Sequence, residues 1–163
     1  ISHVPSSANI FLDTNILVYG LQGLSAECRV LLNRCATEDV FGITSIEVFN
    51  ETTHRLMLAE ARSKGLIIEE RAHYLRGKPN IVQGLRDYWS LASAILNMNI
   101  LILRLDEDLL KDGYAVRARH GFLTNDSLVV SIMRGYGISQ LANNDGDFDA
   151  VSSFTSYFPT DLP

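Results

Sequence analysis

The sequence predicts a three-layer α/β/α fold with a mostly parallel sheet of four to five strands, and three observations predict it. Short apolar runs ending in turn-forming residues, the mark of buried parallel strands, recur along the chain. Between them lie stretches with apolar residues at helical spacing, and this β-α alternation builds a parallel sheet through right-handed crossovers. The length of 163 residues, with 47% hydrophobic and 20% charged residues, suits one globular domain that buries a core without disulfides or a structural metal. We expect a single domain over residues 1–163, its core at about 9–158.

The first strand is Asn9-Ile10-Phe11-Leu12, with Asp13-Thr14-Asn15 as polar turn formers at its C-terminal end. Residues 25–38 place Cys28, Leu31, Leu32 and Cys35 at helical spacing, and Val40-Phe41-Gly42-Ile43 reads as the second strand. Thr44-x-x-Glu47 is a capping-box signal for a helix running to Ser63, stopped by Lys64-Gly65. After a short helical stretch and a break at Gly77-Lys78-Pro79-Asn80, one longer helix is expected over 81–98, with Leu85, Tyr88, Trp89, Ala92, Ile95 and Leu96 on one face. Ile100 to Leu103 form the third strand. Asp106-Glu107-Asp108 opens a helix that Gly121 ends, the acids suiting its first turn. Thr124-Asn125-Asp126-Ser127 opens the next helix, which ends at Gly135-Tyr136-Gly137. Ile138 to Leu141 form the fourth strand, a loop through Asp145 and Asp147 follows, and 154–158 is a short fifth strand.

Composition excludes several classes of function. Cys28 and Cys35 lie seven apart in one helix, about 10 Å along its axis, too far for a bridge; a reducing compartment fits. The four histidines show no metal-type spacing. A net charge of -5 and a pI near 5.3 argue against binding nucleic acid by blanket positive charge. No apolar run approaches membrane-spanning length, and the opening residues lack the pattern of a signal peptide. The expected location is the cytoplasm, with no membrane partner. Neither a P-loop nor Gly-x-Gly-x-x-Gly occurs, so no nucleotide cofactor is expected.

In parallel α/β sheets ligands bind beyond the carboxyl ends of the strands, at the switch in strand order. Asp13 and Asp145 follow strands, while Glu47 and Asp126 open helices, so the four acids are expected to converge on one edge. Each has an ordinary structural use: Asp13 as a turn or N-cap residue, Glu47 in a capping box, Asp126 as a helix-dipole partner, Asp145-Gly146 as a turn. Together they point further. Clustered carboxylates repel and resist desolvation unless a cation neutralises them. Hard oxygen ligands select Mg²⁺ or Mn²⁺, which suit phosphodiester hydrolysis.

The segments Phe11-Leu12-Asp13-Thr14-Asn15-Ile16-Leu17-Val18-Tyr19, Ser45-Ile46-Glu47, Thr124-Asn125-Asp126 and Leu141-Ala142-Asn143-Asn144-Asp145-Gly146-Asp147-Phe148 resemble PIN-domain ribonucleases, the VapC toxins above all in size and layout. The resemblance covers roughly residues 9 to 150. It implies Asp13, Glu47, Asp126 and Asp145 as an acidic quartet, Asp147 as an auxiliary acid and Asn15 as the residue that orients the cluster. It also implies Mg²⁺ or Mn²⁺ held chiefly by Asp13, Asp126 and Asp145, an RNA substrate, a homodimer and a small antitoxin that covers the cleft with a basic side chain. Asn143 departs from the Thr or Ser usual in that family two residues before the fourth acid. The alternatives are an RNA-processing nuclease without an antitoxin, or a catalytically weak RNA- or protein-binding domain. A haloacid-dehalogenase phosphatase fails at Asn15, where it needs a second Asp. An EF-hand fails at Ala150 and Ser156, which stand where it needs Gly and Glu.

An acidic protein that cuts a polyanion needs a local basic surface. Residues 51–90 carry seven Lys and Arg against five acids, while the rest of the chain is strongly acidic. Arg55, Arg62 and Lys64 are therefore expected to hold RNA, with Arg55 on roughly the face of Glu47. An ordinary solvated helical face is the plain alternative.

Overall fold

The computed structural model describes residues 1–162. Five strands, β1 (Asn9–Leu12), β2 (Phe41–Ser45), β3 (Leu101–Leu103), β4 (Gln140–Ala142) and β5 (Thr155–Tyr157), form one sheet in the order β3-β2-β1-β4-β5. Every pairing is parallel. The chain moves outward from β1 through β2 to β3, then returns to the other side of β1 with β4. The switch in strand order therefore lies between β1 and β4, where Phe11 pairs with Leu141. Both strands are buried, as central parallel strands must be.

Among the described residues seven α-helices complete the architecture: α1 (Thr14–Gln22), α2 (Ala26–Ala36), α3 (Ile46–Ser63), α4 (Pro79–Gly84), α5 (Asp87–Ala94), α6 (Glu107–His120) and α7 (Thr124–Gly135). Among the described residues no helix is long and apolar enough to cross a membrane. The main core joins β1, α1, α2 and α7, including Ile10, Phe11, Ile16, Leu17 and Ile132, all fully buried. Ile1 and Val4 also pack into it, so the core reaches further toward the start of the chain than expected. A second, small cluster of Leu58, Ala61, Ile67, Leu75 and Leu85 lies under the helical segment that follows α3.

Several local expectations need correction. The turn expected at 13–15 is the start of α1, because Asp13 caps it and Ile16, Leu17 and Val18 are buried behind the cap. The cap of α3 is Ser45, whose hydroxyl accepts from the Val48 amide at 3.3 Å. Thr44 is still in β2 and donates to the Leu12 carbonyl at 3.0 Å, tying two strand ends together. The single helix expected over 81–98 is broken into α4, α5 and a 3-10 turn at Ile95–Asn97. Leu85, extended and buried in the small cluster, makes the break. Trp89 and Leu96, expected on the buried face, are about half exposed. The fourth strand begins at Gln140 rather than Ile138, since Gly137 at φ 68° still belongs to the turn leaving α7.

Candidate active site

A cleft of about 530 Å³ opens at the carboxyl ends of the strands and is lined by Asp13, Asn15, Glu47, Glu51, Arg55, Asn125, Asp126 and Asp145, among others. All four acids of the expected quartet share this one cleft. Each arrives on a different segment. Asp13 follows β1 directly, its amide donating to the Ala142 carbonyl of β4 at 3.0 Å, so it sits at the strand-order switch itself. It also caps α1, accepting from the Asn15 amide at 3.5 Å. Glu47 stands in the first turn of α3 and Asp126 in the first turn of α7, where helix N-termini favour negative charge.

Asp145 caps the 3-10 turn Gly146–Ala150 by accepting from the Asp147 amide at 2.9 Å. Asn143, fully buried, accepts from the Asp145 amide at 2.8 Å and so fixes the loop just before the acid. A hydroxyl at that position could accept similarly, while the Nδ2 that Asn143 adds is buried without a partner. Phe148 anchors the other end of the loop, packing on Phe122 with ring centroids 5.7 Å apart. Asp147 is exposed and lies outside the cleft lining, yet its charge is felt at Asp126.

The electrostatics record unfavourable crowding of like charge. Burial pushes the Asp13 carboxyl up to about 6; the Thr14 and Asn15 amides oppose this, and the charges of Glu51 and Asp126 add to it. Asp126 is raised by burial and by the charges of Asp145, Glu51 and Asp147. The Oε2 of Glu47 is buried without any hydrogen-bond partner. A buried, unpaired carboxylate oxygen among other carboxylates is the donor chemistry of a hard cation. Among the described residues no three His, Cys, Asp or Glu side chains stand in position to hold one ion between them.

Arg55 also lines the cleft. Its Nη1 donates to Asn15 Oδ1 at 2.6 Å, and Asn15 Nδ2 in turn donates to Asp13 Oδ2 at 3.4 Å. Asn15 thus stands between the guanidinium and the first acid. Arg62 and Lys64 do not line the cleft. Arg62 lies 3.9 Å from Glu70, and Lys64 is held by both Glu60 and Asp87. Sequence reasoning missed Glu51, although its position four residues after Glu47 on one helix face was the available signal.

These features define a class. The chain belongs to the PIN domain family, whose profile matches residues 10–153. Ribonuclease VapC2 of Methanocaldococcus jannaschii is 25% identical over 143 residues, covering 87% of this chain and 88% of that protein. Ribonuclease VapC6 of the same organism is 25% identical over 154 residues, covering 90% and 94%. Among solved structures, the fold is similar to Mycobacterium tuberculosis VapC20, a sarcin-ricin loop cleaving toxin. That match has a TM-score of 0.58 and 22% identity, covering 90% of this chain and 96% of the other. It is also similar to VapBC2 from Rickettsia felis, solved bound to a promoter DNA fragment, with a TM-score of 0.58 and 17% identity, covering 93% and 98%.

Proposed function

We propose that this protein is a metal-dependent endoribonuclease and the toxin of a VapBC-type toxin-antitoxin pair, working as one domain in the cytoplasm. The observation that carries the reading is the convergence of Asp13, Glu47, Asp126 and Asp145 on one cleft, with a buried Glu47 oxygen that no protein group satisfies. The two ribonuclease relatives support the substrate class.

Mg²⁺ or Mn²⁺, held by Asp13, Asp126 and Asp145 with Glu47 and Asp147 in support, would activate water and stabilise charge at a phosphodiester. The remaining work falls to the chain. Asn15 orients Asp13, while Asn143 and the Asp147 amide fix Asp145. Arg55 presents a cation at the wall of an otherwise acidic cleft, where it meets an RNA phosphate. Arg62 and Lys64 extend that basic surface away from the cleft, with Lys64 the more compensated by its two acidic partners. The toxin reading brings a homodimer and a small antitoxin whose basic side chain enters among the acids and neutralises them much as a cation does.

The test is cleavage of RNA by the purified chain with Mg²⁺ or Mn²⁺, with EDTA, and with Asp126→Asn. Removing the metal is expected to abolish cleavage, and the substitution to reduce it by about a hundredfold or more, as the loss of one electrostatic stabiliser does. Cleavage that survives both would end the reading. Co-purification with the product of the neighbouring gene tests the antitoxin, and light scattering tests the dimer.

A further inference from the structure

Asp126 stands in the first turn of α7, and three residues before it Leu123 lines the same cleft. Leu123 is large and aliphatic, yet 78% exposed. A lone exposed leucine is ordinary on a protein surface, but this one is held where it stands. Phe122 is buried and stacks on Phe148 with ring centroids 5.7 Å apart. Leu123 itself is extended, at φ -72° and ψ 173°, and its carbonyl accepts from the Ser127 amide at 3.0 Å. Successive side chains of extended backbone point to opposite sides, so with Phe122 anchored inward Leu123 is turned out over the cleft.

The position also works against the fold. Leu123 is the N-cap of α7, where Ser, Thr, Asp or Asn would satisfy an amide of the first turn, and the helix has no side-chain cap. A residue that neither caps its helix nor buries its side chain departs from local preference, and such departures concentrate at functional sites. Leu128 and Val129 of the same helix and Val48 of α3 also line the cleft and are buried. The cleft therefore has apolar lining as well as its acids and Arg55. In an RNA chain the phosphates suit the charged groups, and the faces of a nucleobase suit the apolar ones. At about 530 Å³ the cleft has the size of a small-molecule site, which one nucleotide matches and a duplex does not.

We propose that Leu123 is a specificity-determining residue that packs on the face of one unpaired nucleobase beside the scissile phosphate. The proposal rests on the nuclease reading and adds a base contact to it. A paired base within a helix has both faces covered by its neighbours, so the contact requires a base that has left the stack. Apolar side chains, leucine among them, open base steps in this way in other nucleic-acid complexes.

The experiment compares wild type with Leu123→Ala, Leu123→Ser and Leu123→Met. The substrates are a single-stranded oligoribonucleotide that the wild type cuts, drawn from a randomised pool, and versions of it with an abasic nucleotide on either side of the cut. Leu123→Ala should raise KM about fivefold, as expected when one aliphatic side chain leaves an apolar contact, with kcat changed less than about twofold. Leu123→Met keeps an apolar side chain of similar volume and should stay within about twofold of wild type. Leu123→Ser should lose as much as alanine yet melt about 2–4 °C above wild type, because its hydroxyl supplies the missing cap. At one of the two positions, loss of the base should cost the wild type about fivefold in KM and Leu123→Ala less than about twofold, since both changes remove one contact.

Unchanged KM in Leu123→Ala would overturn the proposal and leave the side chain to a protein partner. Abasic losses equal in both proteins would overturn it too, by placing the base contact elsewhere. A Leu123→Ser variant that melts below wild type would overturn it as well, by making Leu123 a structural residue. If the wild type cuts no RNA, the nuclease reading itself has failed. Fluorescence anisotropy of the labelled pool without metal then decides: affinity about fivefold weaker in Leu123→Ala supports the contact, and equal or absent binding overturns it.

Discussion

The sheet switch and the helical segment after α3 solve opposite problems with carboxylates. At the switch, Asp13 and Asp126 are crowded with other acids and their carboxyls are raised. In residues 60–98, Glu60 is buried too, and burial alone would raise it; but Lys64 and the amides of Tyr88 and Arg86 donate to it and hold it at about 2. Two buried acids therefore have opposite consequences for the fold. Glu60 staples α3 to the start of α5 and stabilises the charged form. In the cleft, by contrast, Glu47 Oε2 is buried with no donor, which leaves that oxygen free for a ligand.

The largest effect expected from this comparison falls on the staple. Glu60→Ala removes a charged acceptor from two backbone amides and should cost about 1.5–3 kcal/mol, the range for hydrogen bonds to a charged group. Hydrogen exchange should accelerate over residues 64–88 far more than in β1 or α7, since the small cluster around Leu75 and Leu85 is that stretch's main apolar support, whereas Ile95 beyond it packs into the main core. Uniform acceleration would mean that the segment is not a separate cooperative unit. The pH dependence follows with a fixed sign. Because Glu60 is depressed below its unfolded value of 4.5, its contribution is fully present above that pH and is lost as the pH falls toward about 2. Wild type should lose protection of 64–88 across that window more steeply than Glu60→Gln.

A pair of glycine substitutions sharpens the contrast between the two regions. A Cβ at Gly42 in β2 would stand 2.7 Å from Cys35 Sγ and 3.1 Å from Ile100 Cγ1, so Gly42→Ala should destabilise by about 1–3 kcal/mol, as overpacking does. At Gly84 the Cβ would meet nothing within 4 Å, and Gly84→Ala should stabilise by about 0.5 kcal/mol through the unfolded chain. Chemical denaturation decides both, and equal effects would remove the distinction between a tightly packed sheet and an open helical segment.

How much was legible in the sequence divides along the same line. The strands that bear the site could be read from short apolar runs ending in Asp13 and near Asp145, because a buried parallel strand leaves a local signature. The four acids could be ordered from those runs. The break between α4 and α5 could not, since apolar spacing over 81–98 fits one helix; the break is tertiary, with extended Leu85 buried in the small cluster and the next amide, of Arg86, donating to Glu60, 26 residues away. The helix α1 was hidden for a different reason: Asp13-Thr14-Asn15 reads equally as a turn or a cap, and only burial of Ile16 and Leu17 decides. Glu51 was missed although its spacing of four from Glu47 put it on the same helix face; its tie to Asn125, which spans two distant segments, left no local signal.

The smallest expected effect concerns Arg55. If it grips RNA at the cleft wall, Arg55→Ala should weaken binding similarly for all RNA sequences and reduce the salt dependence by roughly one phosphate contact. Binding titrations at several salt concentrations check this, and unchanged affinity and slope would move the RNA path to another surface.

The central claim is that the cleft acids are held at a cost which a cation relieves, and thermal melting of Asp13→Asn with and without Mn²⁺ tests it most directly. The Asp13 carboxyl is raised from 3.8 to about 6, so the folded state loses stability as the pH rises through that interval, and the ionised form is a burden at neutral pH. Asparagine caps helices as well as aspartate does. At pH 7.5 in EDTA, Asp13→Asn should therefore be more stable than wild type by roughly 1–3 kcal/mol at about 1.4 kcal/mol per pKa unit. Mn²⁺ should raise the melting temperature of the wild type in a concentration-dependent way and that of the variant far less, and only the wild type should cut RNA. A variant no more stable than wild type in EDTA, together with a wild type whose melting ignores Mn²⁺, would contradict the account.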